Sequence, residues 1–371
     1  MWLRCRWDVL PLIVLFIHNG TLASSINSDT KSRTSTSSIF PIHKIKDATP
    51  LSTGGNQEET NDNISNILRK LELYMYEKKI QEQKHHKLKM PFVTLSYAQT
   101  FNGMIAKADS HQSASTATEE FKTSSNLPIS CPESFQLTHA LRSIHDGVLV
   151  GKNTMMIDNP RLNVRLWRTN GKLNHPRPLI LDSNLKMLLK DLDNIEAKND
   201  SEERYFMQHI RANKIIFCCN KDALIQFRKI FREKLKDLYS TLTMNNVEDS
   251  VIHLMEGDKH VTVLSCRDYV DGATDHRTLD LENVLQELYQ KCGIKSLMVE
   301  GGSSILSSFA SIATYANIVD YVCVTIAPSL IGNKIGLNAF QHSQLNMTTM
   351  KNVEYWTLGT DCIMVGQWPH S

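Results

Sequence analysis

Several features are missing from this sequence, and each absence excludes something. Charge of one sign is missing. The 371 residues carry 41 Lys and Arg against 39 Asp and Glu, a net +2. No bulk basic field draws such a chain to nucleic acid. Paired cysteine spacing is missing too. Cys5, Cys131, Cys218, Cys219, Cys266, Cys292, Cys323 and Cys362 include no Cys-x-x-Cys pair, which argues against a zinc knuckle or ribbon and leaves no expected metal site. No Gly-x-Gly-x-x-Gly occurs, so the Rossmann fingerprint is not indicated. The apolar run Val9 to Ile17 is too short to span a bilayer comfortably. There is no internal repeat.

What is present is ordinary globular composition, 41% hydrophobic and 22% charged. It suits one large or two modest domains. Cysteines lie inside apolar runs such as Ile215-Ile216-Phe217-Cys218-Cys219, so they read as buried free thiols of a reduced compartment. The amino terminus points elsewhere. Arg4 and Arg6, the Val9 to Ile17 run and the small residues around Ala23 have the layout of a secretory signal. Export and a non-native or uncleaved extension both fit it. Ser24 to Thr60 is polar and reads as disordered. Ile64, Ile67, Leu68, Leu71 and Tyr74 have helical spacing and lead to the basic stretch Lys84 to Lys89, which reads as a solvated helix end. We therefore expect a leader, polar segment and basic helix over 1–89 and an ordered domain over 90–371.

From Phe92 onward, strands and helices alternate, the pattern of an α/β domain. Expected strands are Phe92 to Ala98, Gly147 to Val150, Pro178 to Leu181, Lys214 to Cys218, Val261 to Leu264, Ser296 to Val299, Val319 to Ile326 and Cys362 to Val365. Expected helices are Glu133 to His145, Leu279 to Cys292 and Ser303 to Ile312. Ala106 to Leu127 and Glu196 to Arg211 read as surface insertions.

Three segments carry the chemistry. Val299-Glu300-Gly301-Gly302-Ser303-Ser304-Ile305 follows a buried strand and opens a helix. The glycines allow close backbone approach, and a fresh helix N-terminus offers N–H groups to phosphate. Glu300 stands at the strand's carboxyl end, where open α/β sheets bind ligands. The second segment, Leu141 to Arg165, holds Arg142, Thr154, Asp158, Arg161, Leu162 and Arg165. Thr154 and Asp158 share a helical face, and Arg161 and Arg165 are of a type that grips phosphate bidentately. A plain turn at Asp158-Asn159-Pro160 with two surface arginines is the alternative. His145 reads as a favourable charge at a helix end. The third segment, Ala98 to Ala106, contains the turn signal Asn102-Gly103.

Together these segments resemble the riboflavin-biosynthesis reductases, which are similar to the reductase half of the bacterial bifunctional deaminase–reductase. Pro91 to Gly103 follows that family's first strand and turn, with Asn102 where the family has aspartate; asparagine keeps the turn geometry. Leu141 to Arg165, Pro176 to Asp182, Val299 to Gly302, Val319-Asp320 and Ala327 to Gly332 match as well. The deaminase half is absent, since no His-x-Glu with a downstream Pro-Cys-x-x-Cys occurs.

The resemblance implies a dihydrofolate-reductase-like α/β fold with a central, mostly parallel sheet. It implies NADPH-dependent reduction of a ribosylaminopyrimidine 5′-phosphate to its ribityl form, by a cytoplasmic homodimer with no nucleic-acid partner. It assigns Thr154, Asp158, Gly302, Ser303, Ser304, Ile305, Ala98 and Ser183 to the cofactor, and Arg142, Leu162, Arg165 and Glu300 to the substrate. Arg142 and Arg165 fit the phosphate by charge, and Glu300 fits the pyrimidine's amino groups. No general acid stands out; water or the substrate itself supplies the proton. Two other readings stay open, a dihydrofolate reductase and an inactive reductase-like interaction domain.

Overall fold

The structure is a computed structural model. It describes residues 49–50, 57–85, 89–107, 128–189, 214–235, 243–248, 250–256, 259–270, 277–332, 336–341, 343 and 347–369. The signal-like leader, most of the polar 24–60 stretch, nearly all of the 106–127 segment, the 196–211 segment and the side chains of 84–88 lie outside the described residues. Contacts divide the chain into Met1–Ile39 and Phe40–Ser371, and every described residue lies in the second unit.

After the short strand Thr49–Pro50, which pairs antiparallel with Trp167–Arg168, come helix α1 (Gln57–His85), strands β1 (Phe92–Thr100) and β2 (Met104–Lys107), helix α2 (Pro132–Ile144), β3 (Gly147–Gly151) and α3 (Lys152–Asp158). Next come β4 (Arg177–Leu181), β5 (Ile215–Cys219), α4 (Lys221–Ile230), β6 (Thr243–Glu248), β7 (Val251–Glu256) and β8 (Lys259–Ser265). The chain continues with α5 (Leu281–Cys292), β9 (Ser296–Val299), α6 (Ser303–Ala316), β10 (Tyr321–Ala327), β11 (Gly336–Asn338), β12 (Lys351–Leu358) and β13 (Asp361–Gln367).

Eleven strands form one sheet in the order β12-β13-β10-β1-β9-β3-β4-β5-β8-β7-β6. The central run from β10 to β8 is parallel, and two antiparallel strands extend each edge. This is the α/β, mostly parallel architecture expected. β3, β5 and β9 are buried along their whole length. Sheets covered on both faces read as continuous apolar runs, which is why the sequence shows these strands plainly.

Alternation along each strand feeds two apolar layers. Val148, Val150, Phe217 and Met298 pack with Ile64, Leu68 and Leu71 of α1, Leu137 and Leu141 of α2, and Leu224 and Phe227 of α4. Leu149, Ile216, Leu297 and Val299 pack with Val284, Leu285 and Leu288 of α5 and Phe309 and Ala310 of α6. Asn220 and Asp280 cap α4 and α5, their side-chain oxygens accepting from Ala223 N and Asn283 N.

The boundary expected at residue 90 does not part α1 from this core. Ile64, Ile67, Leu68, Leu71 and Met75 are buried in the first layer, each contributing about 1.5–3 kcal/mol of burial. Lys78 Nζ donates to Asp320 Oδ2 at 2.7 Å and to Pro91 O at 3.1 Å. Asp320 Oδ2 also accepts from Val93 N at 2.8 Å. Helix α1 therefore fastens the starts of β1 and β10. It opens inside the polar stretch read as disorder, with Glu58 and Glu59 in its first turn, where acidic charge favours a helix start.

Candidate active site

The site is built at the carboxyl edge of the parallel strands. Glu300 N donates to Leu149 O at 2.9 Å, carrying the pairing of β9 with β3 one residue past the strand. Met298 faces the layer of α1 and α2, so two residues on Glu300 emerges on the same side. There the last turn of α2 brings Arg142. Its Nε donates to Glu300 Oε1 and its Nη2 to Oε2, both at 2.6 Å. Nη1 donates to Asn163 O at 3.2 Å. The Arg142 side chain is 7% exposed and that of Glu300 17%. Burial works against the charge on Arg142, but the carboxylate beside it holds its pKa above the ordinary value. Arg142 is thus committed to Glu300. Three of its five N–H groups are engaged in this way, and one on each of Nη1 and Nη2 remains for a further acceptor.

The segment after α3 is held in an unusual backbone. Asn159 closes α3 in the left-handed region at φ 44°. Leu162 is buried at φ 49°. A bulky residue seldom takes that conformation, and strain of this kind gathers at ligand sites. Arg165 N donates to His139 Nδ1 at 3.1 Å, and Arg165 Nη1 donates to Asn163 Oδ1. Burial, then the charges of Arg142 and Arg165, push His139 down to about 3, so its ring is neutral. Arg165 is half-buried. Its own pKa is lowered by burial and by the neighbouring Arg142 and Arg161. Asn163 and His139 were not expected at the site. His139 lies three residues before Arg142 on one face of α2, and that spacing is the signal that could have found it.

The Gly301-Gly302 turn joins β9 to α6. Gly302 N donates to Thr154 Oγ1 at 3.2 Å, which ties the turn to α3. A Cβ on Gly151 would sit 2.7 Å from Ile305 Cγ1, so α6 approaches β3 closely only because glycine stands there. Gly302 caps α6 with no side-chain bond. Ile305 N and Leu306 N return to Gly302 O, leaving the Ser303 and Ser304 N–H groups at the helix's open end. The Ser303 hydroxyl is buried without a partner. Open N–H groups, an unpaired buried hydroxyl and no carboxylate among Gly302 to Ile305 form a donor set that suits phosphate groups.

Ala98 pairs with Thr325 on β1, and alternation puts it on the same face as Thr94. Thr94 Oγ1 meets His145 Nε2 at 2.9 Å. Ser183 follows β4, two strands from β9, and its carbonyl accepts from Asn220 N at 2.9 Å. Asp158 ends α3 at the surface, its carboxyl pKa raised by partial burial. His145 is not the cap charge its position suggested. It is fully enclosed, burial lowers its pKa to about 4, and its Nδ1–H donates to Leu141 O at 2.7 Å.

A family model described as the RibD C-terminal domain matches residues 91–364. The chain belongs to the RibD C-terminal domain family. The match runs from the start of β1 into β13 and contains every candidate residue; α1 lies before it. The chain is 30% identical to the 2,5-diamino-6-ribosylamino-4(3H)-pyrimidinone 5′-phosphate reductase of Debaryomyces hansenii, over 65% of this chain and 76% of that one. It is 27% identical to the riboflavin biosynthesis protein RibD of Aquifex aeolicus, over 67% of this chain and 49% of that one. A solved structure of the riboflavin biosynthesis reductase Rib7 of Saccharomyces cerevisiae is 22% identical, covers 76% of this chain and 90% of that one, and gives a TM-score of 0.47.

Proposed function

We propose that this chain reduces 2,5-diamino-6-ribosylamino-4(3H)-pyrimidinone 5′-phosphate to its ribitylamino form, with NADPH as reductant. Family membership and the reductase activity that names relatives such as the one from Debaryomyces hansenii support the reading. The observation that carries it is the Glu300 carboxylate, fixed as an ion pair beside a phosphate-suited helix start. A carboxylate only accepts hydrogen bonds, so it fits a heterocycle edged with amino groups.

The reduced nicotinamide, when bound, supplies hydride to the first carbon of the sugar once the ribosylamine has opened. The residues bind and orient. Gly302, Ser303, Ser304 and Ile305 hold the cofactor's phosphates, with Thr154, Asp158 and Ser183 as further contacts. Ala98 lines the nicotinamide end. Leu162 and Glu300 hold the pyrimidine, and Arg142 and Arg165 take the 5′-phosphate. Holding both partners in reactive geometry is the main contribution such a site makes. The same reading carries a homodimer in the cytoplasm, its catalytic residues all within 90–371 and α1 packed on their core. Light scattering and the amino-terminal sequence of the native chain test those two points.

Glu300→Gln is expected to raise KM for the pyrimidine about tenfold or more at saturating NADPH, the scale of a hydrogen bond to a charged group. Asp158→Ala is expected to weaken NADPH in a fluorescence titration. An unchanged KM sinks the substrate assignment, and an unchanged titration sinks the cofactor assignment.

A further inference from the structure

We propose that His139 and His175 are positioning residues of the pyrimidine site, carrying the backbone of the Leu162–Arg165 segment on their ring nitrogens. The inference rests on the reading of this segment as a substrate contact. Asn163, Val164 and Arg165 belong to no helix or strand. Their backbone groups need partners all the same. Side chains supply them. Asn163 O accepts from Arg142 Nη1 at 3.2 Å, Val164 N donates to His175 Nδ1 at 3.2 Å, and Arg165 N donates to His139 Nδ1 at 3.1 Å. Three consecutive residues are thus held by three side chains from two directions. His139 and Arg142 come from α2, one turn apart, and His175 from the approach to β4. A ring nitrogen that accepts a backbone N–H carries no proton of its own, so both rings hold their proton on Nε2.

The segment needs such anchors. Leu162 is buried at φ 49°, a conformation that persists only where the surroundings over-determine it. Val164 and Trp167 are buried as well, while Asn163 and Arg165 are half-buried. Holding the amides of Val164 and Arg165 fixes which residues turn inward, and with them where Leu162 and Arg165 stand. His139 suits the task. It is buried and meets Phe135 edge to face, with ring centroids 4.9 Å apart, which fixes the direction of its nitrogens. Burial, then the charges of Arg142 and Arg165, keep its Nδ1 free to accept at neutral pH. His175 is exposed, so its ring can be exchanged with little disturbance of the core. The turn at Gly302 is tied instead to Thr154, so loosening these anchors should spare NADPH.

The test uses the full chain with His175→Leu, His175→Asn, His139→Leu and His139→Asn. Leucine removes the acceptor, and asparagine keeps an acceptor oxygen near the place of Nδ1. His175→Leu should raise KM for the pyrimidine about fivefold, the scale of one hydrogen bond, with kcat within about twofold and NADPH titrating as in the wild type. His175→Asn should restore most of the loss. His139→Leu should act in the same sense, with His139→Asn closer to wild type. His139 lies in the core, so the His175 pair decides the matter wherever a His139 variant fails to fold. Hydrogen exchange reads the anchors without turnover. The Val164 amide should exchange about fivefold faster in His175→Leu, and the Arg165 amide likewise in His139→Leu. A His175→Leu enzyme with wild-type KM overturns the positioning role. So does an asparagine variant no better than leucine, or an equal loss of NADPH affinity. Unchanged exchange at Val164 overturns the anchor itself. If exchange responds as stated but the wild type does not reduce the pyrimidine, the anchors stand and the proposed reaction falls.

Discussion

Two residues define their surroundings by what they cannot do. His145, buried between Thr94 and Leu141 O, resists protonation because burial disfavours the cation. Its folded pKa of about 4 lies below the unfolded value near 6.5, so the stability it supports is complete above pH 6.5 and is lost as pH falls toward 4. Urea unfolding at pH 7, 6, 5 and 4 should show a loss of up to about 1.4 kcal/mol per pH unit from this one proton. His145→Gln should remove this proton's share of the slope and leave that of His139, whose pKa is also depressed; an identical slope would refute the assignment. Asn102 is the second case. Its Oδ1 accepts from Thr100 Oγ1 at 2.7 Å and from Ile331 N at 3.3 Å, and its Nδ2 donates to Ile331 O at 2.7 Å. An ionised aspartate cannot make the last bond. Asn102→Asp should therefore lower stability by about 1–2 kcal/mol at pH 7, measured by thermal melting. A variant with unchanged melting temperature contradicts this account of the turn.

At the scale of elements, what the sequence revealed depended on burial. β3, β5 and β9 are apolar from end to end and were plain, and Ser296 to Val299 was bounded correctly. β6 and β12 lie at the two edges of the sheet. Their sequences, Thr-Met-Asn-Asn-Val-Glu and Lys-Asn-Val-Glu-Tyr-Trp-Thr-Leu, are too polar to signal a strand. Helix α1 was legible as a helix from Ile64, Ile67, Leu68 and Leu71, but periodicity does not say which surface an apolar stripe meets. The structure shows it closing one face of the core and pinning Asp320 through Lys78. A chain beginning at Gln57 should therefore unfold cooperatively like the full chain. A chain beginning at Met90 should melt at least 10 °C lower or fail to stay soluble, since the core loses the five α1 side chains that cover it. Equal melting of the two truncations would show that α1 is dispensable.

At the scale of the molecule, the fold brings together groups that the sequence keeps far apart. Arg142 and Glu300 are separated by 158 positions, and no local pattern predicts their bidentate pair. The family resemblance assigned both residues to the substrate. The parallel order β1-β9-β3 sets Ala98, Glu300 and Gly302 along one edge, and α2 and α3 deliver Arg142 and Thr154 to it. Such an edge can hold a dinucleotide's phosphates at a helix start and an amino-edged heterocycle beside it. No helix among the described residues is long and apolar enough to cross a membrane. The most direct test is to mix the purified full chain with NADPH and 2,5-diamino-6-ribosylamino-4(3H)-pyrimidinone 5′-phosphate and to identify the product by mass. The account predicts one NADPH oxidised per ribitylamino phosphate formed. Oxidation with dihydrofolate but not with the pyrimidine, or no oxidation with either, would contradict it.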